Sequence, residues 1–463
     1  MIKIITDGFE LHPSHENIIS ALIGHKKPED SNIDAELMLS DLGETVKATW
    51  ISKGKKSELV YQKNNLDTIA SIKIAIYRLL SNSLNNTLPW GTLTGIRPVR
   101  YLEQNIEKYG ESKACRLFLY EFGVREDKLN LAIEILNHQK PILDYRGKYH
   151  LIYIHIPFCP TRCKYCSFSV MSLDKKLKHG VDEYLDSLIE EINSYDDFMA
   201  TKPISIYIGG GTPSVLSPVQ IKRLFCAIKT KFSMETIKEV TFEAGRPDTI
   251  DEELLDALKS VGVTRLSINP QSMKDDTLKS IGRLHSASDI LRAFNLAKKY
   301  DFIINTDIIL GLEGENMADV ENTIDQLIKL DPNNITVHSL ALKSGSIYKN
   351  EEIDINKNIE EIYNMVSNKL IQNKYKPYYL YRQKRQIGEE DNVGYQKGDS
   401  DNIFNVLSMD DTVDVLAFGM GAVSKFVDHN GKVEHVFGYR DIIYYLEHFY
   451  DLNDKKKQLY LNK

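Results

Sequence analysis

Apolar positions recur along this chain at two spacings, and the change from one to the other divides it. Over residues 1–65 the apolar runs are short and weakly alternating, at 2–5, 37–39, 48–51 and 59–61, which predicts a small antiparallel sheet. From 66 to about 140 the spacing turns helical: Ile69, Ile72, Ile76, Leu79 and Leu80 share one face, and further amphipathic helices follow. Between them, 88–100 reads LPWGTLTGIRPVR, a Gly- and Pro-rich yet apolar stretch that predicts a packed connection. From 150 a regular alternation begins. Strand-like runs at 151–157, 205–208, 240–243, 265–269, 304–311 and 335–340 are separated by amphipathic segments at 184–192, 221–228, 252–258, 290–297 and 320–330. Such βα units imply a parallel sheet with right-handed crossovers. Six strands fall short of the eight that close a barrel, so the expected architecture is α/β, a partial (β/α)6 barrel rather than a doubly wound sheet. After about 343 the alternation stops. A helical stretch at 359–371, the aromatic and basic KPYYLYRQKRQ at 376–386, a polar loop, a strand-like run at 415–426 and a helix near 441–449 follow. The expected domains are an N-terminal α+β domain at 1–145, the barrel at 146–345, and a C-terminal α+β domain at 346–463 that covers the substrate.

Composition narrows the class. The chain has 463 residues, 42% hydrophobic and 27% charged, enough for two or three domains with a large core. A net charge of −7 with mixed signs offers no invitation to nucleic acid or an anionic membrane. No apolar run approaches a membrane span and the first residues lack a signal-peptide core, so the expectation is a soluble cytoplasmic protein. Five cysteines, three of them clustered, argue for metal chemistry in a reducing compartment rather than disulfides. Cys115 and Cys226 lie in helical patterns and are expected to be packing residues.

The chemistry gathers at the strand ends. After the first barrel strand, IYIHIPFCPTRCKYCSFS places Cys159, Cys163 and Cys166 in a C-x3-C-x2-C spacing. Three thiolates so close in sequence can hold one iron–sulfur cluster, and a four-iron cluster with three protein ligands leaves one iron for a small molecule. The second strand ends in GGGTPS, a tight turn or a place where a ligand meets backbone. The third ends in TFEAG with Glu243, the fourth in INPQS with Asn269 and Gln271, the fifth in NTDIILGL with Asp307, and Arg283 in IGRLHS is within reach. Each alone reads as a solvated or capping group, yet all fall at the end of a barrel where chemistry is found. Arg97 and Arg100 either cap a helix or offer bidentate partners to a carboxylate or phosphate. Tyr378, Tyr379 and Tyr381, with Arg382, Lys384 and Arg385, either face a flat anionic ligand or form a core strand with a charged edge.

Together these motifs resemble those of radical S-adenosylmethionine (SAM) enzymes of the oxygen-independent coproporphyrinogen III oxidase-like family, closest to its HemZ-type branch. HIPFCPTRCKYC is similar to the family's cluster motif and GGGTPS to its glycine motif; FEAGRPDT, SINPQS, IGRLHS, TDIILGL and FGMGAVS are similar to later signatures. LPWGTLTGIRP and LYRQKRQIGEEDNVGY resemble segments of the HemZ-type branch. The resemblance implies a partial (β/α)6 radical SAM barrel in which Cys159, Cys163 and Cys166 hold a [4Fe–4S] cluster whose open iron chelates SAM. It implies that Tyr153 and Tyr165 lie against SAM, that Gly210, Gly211 and Thr212 meet its methionine end, and that Glu243 accepts from it. Gln271, Arg283, Asp307, Ala341 and Val423 match family positions contacting one or other of two SAM molecules.

The implied reaction is the oxidative decarboxylation of coproporphyrinogen III propionates to vinyl groups, giving protoporphyrinogen IX in anaerobic haem biosynthesis, with a flavodoxin or ferredoxin as electron donor. No general base is required. Arg97, Arg382 and Arg385 are the expected partners of a tetrapyrrole substrate's carboxylates. One departure stands out: Phe168 occupies the position where the family's oxidases carry a further cysteine. Sister branches include a haem chaperone and a haem-modifying methyltransferase; the chaperones' HNxxYW-like segment is replaced here by EDNVGYQKG at 390–398. A zinc site using His155 with the three cysteines is the remaining alternative.

Overall fold

In the computed structural model the described residues are 2–23, 35–64, 66–94, 97–173, 178–343, 345–350, 358–383 and 386–463, and the chain forms two units, 1–136 and 137–463. The first unit carries a sheet of β1 (Ile2–Asp7), β2 (Ala35–Asp41), β3 (Thr45–Ser52) and β4 (Lys55–Gln62) in that order. β2, β3 and β4 are antiparallel, and the β3–β4 turn carries Lys53 and Gly54 at positive φ, the backbone of a two-residue hairpin. β1 departs from the antiparallel expectation. It runs parallel to β2, which demands a crossover, and helix Pro13–Ile23 lies on that connection. Helix Thr68–Leu84 buries Ile72, Ile76, Leu79 and Leu80 as its period predicts, while Ile69 stays 44% exposed. Asp67 caps it by accepting from the Ala70 amide. Leu88, Trp90 and Leu93 are buried, so the connection at 88–94 is packed.

The second unit is built on the predicted strands. They are β5 (Tyr149–Ile156), then, after a short ribbon of β6 (Phe158–Cys159) and β7 (Met171–Ser172), β8 (Lys202–Gly210), β9 (Glu239–Glu243), β10 (Arg265–Ser267), β11 (Ile303–Leu310) and β12 (Asn334–Ser339). β5 and β8 to β12 are parallel neighbours in sequence order. Helices 178–193, Pro218–Lys231, Glu252–Ser260, Ala287–Ala297 and Met317–Leu330 connect them. Ser217 with Gln220, and Asn316 with Asp319, form reciprocal caps that fix where two of these helices start.

The same sheet continues past the barrel. β13 (Lys376–Tyr381) and β14 (Asn392–Gln396) join antiparallel beyond β12; β15 (Val415–Phe418) lies parallel to β5 and is followed by β16 (Val423–Val427) and β17 (Val433–Phe437). Eleven strands thus form one sheet that stays open, the partial barrel expected, with β13 and β17 as its edges. The single run predicted at 415–426 is two strands, because Gly419 and Gly421 turn the chain at positive φ. The helix expected near 441–449 is Ile442–His448, and it is followed by another, Asp451–Leu461. Cys115 is half-buried, but Cys226 is exposed, on the outward face of its helix.

At the end of the barrel away from the cysteines, Arg265 is wholly buried. Its guanidinium donates to Glu239 (3.0 Å), to Asn334 and to the Ser400 (2.9 Å) and Asp401 (2.7 Å) carbonyls. Among the described residues no helix is long and apolar enough to cross a membrane.

Candidate active site

The cysteine loop begins where β5 ends. Pro157 and the β6–β7 ribbon turn the chain back, with the Met171 amide on the Pro157 carbonyl (2.7 Å) and the Leu173 amide on the Cys159 carbonyl (2.9 Å). The loop is tied to the connection between β10 and β11: Thr161 donates to the Gly282 carbonyl (2.8 Å) and the Lys164 amide to the Ile281 carbonyl (3.0 Å). Cys159, Cys163 and Cys166 are all half-buried and line one cavity of about 510 Å³. The Thr212 hydroxyl donates to the Cys159 sulfur (3.5 Å). Burial pushes the Cys159 thiol up to about 11 and raises Cys166 as well, so a cation is needed to hold them as thiolates.

The glycine turn has a packing cause of its own. A Cβ on Gly210 would lie 1.9 Å from the His155 ring, and one on Gly211 would lie 2.5 Å from the Phe158 carbonyl oxygen. Only glycine lets this turn close onto β5, where the Gly211 amide meets the Ile156 carbonyl (2.8 Å) and the Thr212 amide the Phe158 carbonyl (2.7 Å). His155 is buried, its Nδ1 is bonded to the Met420 carbonyl, and it is not among the residues that line the cavity with the three cysteines. Among the described residues no three His, Cys, Asp or Glu side chains are gathered to hold a single ion.

Strand ends supply the rest of the wall. Glu243 at the end of β9 accepts from the Tyr207 hydroxyl and from the Gly210 amide (3.2 Å). Burial pushes its carboxyl up to about 7, with Asp307 adding to the rise and the Tyr207 bond opposing it. Asp307 on β11 accepts from Asn305 (3.0 Å) and lies 3.7 Å from His338 Nε2 on β12; Tyr381 meets the other nitrogen of that ring (3.0 Å). Gln271 sits at φ 69°, a strained conformation for a side-chain-bearing residue, held by its amide on the Asp307 carbonyl (3.0 Å) and its carbonyl under the Ile309 amide (3.1 Å). Arg283 reaches under Tyr165, donating to its hydroxyl (3.3 and 3.1 Å) and to the Asn269 carbonyl.

Three carbonyl oxygens in this wall, Asn269 Oδ1, Gln271 Oε1 and Asn305 Oδ1, are buried without a partner among the described residues. With Glu243 and Asp307 they make an acceptor-rich surface next to three thiols. That donor set fits an iron–sulfur cluster beside a molecule carrying an amine and hydroxyls, since orphaned buried acceptors are costly until a donor arrives.

Of the residues expected to contact cofactor, Tyr165, Gly210, Gly211, Thr212, Glu243, Gln271, Arg283, Asp307 and Ala341 line this cavity with the cysteines. Tyr153 stands one ring behind, stacked on Tyr207 (6.0 Å), which does line it; Val423 opens β16 outside the lining. Of the expected carboxylate partners, one falls among the described residues of this unit. Arg382 is buried in an ion pair with Asp391 (3.3 Å), Arg97 precedes helix Pro98–Tyr109 in the first unit, and Arg385 lies outside the described residues, as does Lys384. Tyr379 and Tyr381, parallel and 6.2 Å apart, face the cavity, whereas Tyr378 belongs to the core. The sequence reading missed Arg246, His338 and Lys343, which also line the cavity. His338 shares a strand face with Thr336, and its β12 position was the available signal.

Residues 153–327 match the radical SAM superfamily model. The oxygen-independent coproporphyrinogen-III oxidase-like protein HemZ of Bacillus subtilis is 34% identical over 83% of this chain and 80% of its own length. The heme chaperone HemW of Lactococcus lactis is 36% identical over 43% of this chain, and the match spans 51% of that relative's length. Among solved structures, coproporphyrinogen III oxidase (HemN) from Escherichia coli shares the fold at a TM-score of 0.53 and 21% identity, over 70% of this chain and 73% of that one. On the fold, the cysteine-lined cavity and this extent of similarity, the chain belongs to the HemZ family of oxygen-independent coproporphyrinogen-III oxidase-like proteins within the radical SAM superfamily, which uses a [4Fe–4S] cluster and SAM.

Proposed function

We propose that this protein removes two propionate carboxyl groups of coproporphyrinogen III as CO₂, leaving the vinyl groups of protoporphyrinogen IX. The observation that carries the reading is one cavity in which three thiols, an acceptor-rich wall and aromatic side chains meet. In this reading Cys159, Cys163 and Cys166 hold the cluster. Glu243, Gln271, Asp307 and the oxygens of Asn269 and Asn305 accept from the amine and hydroxyls of SAM, Arg283 fixes Tyr165 beside it, and Gly210–Thr212 close the turn around its methionine end. When bound, cluster and SAM supply a hydrogen-abstracting 5′-deoxyadenosyl radical. For each vinyl group formed the substrate would give up one β-hydrogen atom, one CO₂ and one electron, the electron going to an external acceptor, with a flavodoxin or ferredoxin as the protein's electron donor. Tyr379, Tyr381 and the residues from 346 onward would cover the macrocycle and exclude water. The cluster and the reduced cysteines suit a cytoplasmic location.

The test is anaerobic. Iron and sulfide are reconstituted into the full chain, which is then incubated with SAM, a reductant and coproporphyrinogen III. Vinyl product accompanied by deoxyadenosine supports the oxidase. A second reading, heme delivery, is favoured by the likeness to heme chaperones over the barrel; tight heme uptake with no vinyl product would establish it instead.

A further inference from the structure

The cavity holds two guanidiniums, and both are committed to the protein. Arg246 grips Asp248 through Nε (3.1 Å) and Nη2 (3.2 Å) and Thr161 through Nη1 (2.9 Å); Arg283 is spent on Tyr165 and Asn269. Lys343 differs. It lines the cavity, is half-buried, and among the described residues its ammonium has no hydrogen bond or ion pair. The charged group it does face is the Cys166 sulfur, one of the three expected cluster ligands, and a partly desolvated ammonium still gains from the hydrogen bonds of an arriving carboxylate.

Its position is fixed. The Lys343 amide donates to the Ala341 carbonyl (3.0 Å), and its own carbonyl accepts from the Ser346 amide (3.1 Å) and hydroxyl (2.9 Å). This turn is clamped to the cysteine loop: Arg162 donates to the Gly345 carbonyl (2.9 Å), the Ile347 amide to the Lys164 carbonyl (2.9 Å), and a Cβ on Gly345 would sit 3.0 Å from the Ser167 carbonyl oxygen. The backbone carrying Phe168 therefore runs beside the one carrying Lys343. Phe168 also lines the cavity and, among the described residues, is 61% exposed, a flat apolar face. The cavity's carboxylates are engaged elsewhere, Glu243 with Tyr207 and Asp307 with Asn305.

We infer that Lys343 is the carboxylate-binding residue of this cavity, taking a propionate of a tetrapyrrole whose ring rests on Phe168. The inference builds on the proposed function and names the contact by which that substrate is held. SAM also carries a carboxylate, but an exposed phenyl face beside the ammonium suits a macrocycle bearing acid side chains.

The experiment uses the full, cluster-reconstituted chain without turnover. Binding of coproporphyrin III and of its tetramethyl ester is followed by fluorescence, and binding of SAM by equilibrium dialysis, for wild type, Lys343→Gln and Lys343→Arg, with cluster content verified. Removal of one charge-assisted hydrogen bond should make Lys343→Gln bind coproporphyrin III about tenfold more weakly, with ester and SAM binding unchanged, while Lys343→Arg stays within about threefold of wild type. Wild type that prefers coproporphyrin III over the ester, with Lys343→Gln binding it as tightly, overturns the inference while leaving the proposed function standing. Loss of SAM affinity instead overturns it too, assigning the lysine to the cofactor. Wild type that binds acid and ester equally overturns the inference alone, and wild type that binds neither overturns the inference and the tetrapyrrole reading together.

Discussion

Two kinds of residue meet in the cavity, and they differ in how visible they are in the sequence. Cys159, Cys163, Cys166, Glu243, Gln271 and Asp307 announce themselves because each is a reactive or polar residue within an apolar strand or soon after its C-terminal end. Replacing any one of the three cysteines by alanine is expected to abolish the cluster's visible charge-transfer absorption after reconstitution, while Cys115→Ala and Cys226→Ala leave it intact. Glu243 carries a pH dependence. Folding raises its pKa from 4.5 to about 7, so the folded chain keeps a proton that the unfolded chain gives up between those values. This group's contribution therefore makes stability fall as pH rises from 4.5 to about 7. As an acceptor for SAM it is fully ionised only above that range, so SAM binding should tighten as pH rises through neutrality, and Glu243→Gln should flatten the profile in equilibrium dialysis. The pairing of Arg382 and the approach of Lys343 to the cavity were not legible. Whether a basic residue is spent on a neighbour, as Arg382 is on Asp391, is a fact of tertiary pairing that no spacing records.

At the scale of elements the βα alternation was readable because each strand is a continuous apolar run and each helix an amphipathic one. What escaped was pairing. The parallel β1 and β2, and the use of β13 to β17 as continuations of the barrel sheet at both edges, depend on partners far away in sequence. The β8 turn is the element on which the site depends most. Gly210→Ala drives a methyl into the His155 ring, and an overpacked turn of this kind is expected to cost about 3 kcal/mol and to lower cluster occupancy, measured by denaturant unfolding and iron content. Phe168→Cys tests the opposite case: its side chain stands exposed, so stability should change little while tetrapyrrole affinity falls.

Across the second unit the barrel and the C-terminal strands share one sheet, and Arg265 binds them at the end away from the cysteines. Arg265→Met leaves Glu239 buried without its partner and should destabilise the chain by about 3–5 kcal/mol, seen as a lowered Tm with the cysteine loop chemically unchanged. The scaffold gathers thiols, acceptors and aromatic faces at the other end, where the proposed reaction takes hydrogen from a propionate. That step is tested with coproporphyrinogen III deuterated at the propionate β-carbons, incubated anaerobically with reduced, reconstituted protein and SAM, followed by mass analysis of the deoxyadenosine. The expected outcome is one deuterium in the deoxyadenosine for each vinyl group formed. Deoxyadenosine that carries no deuterium, with the tetrapyrrole recovered unchanged, would overturn the proposed reaction.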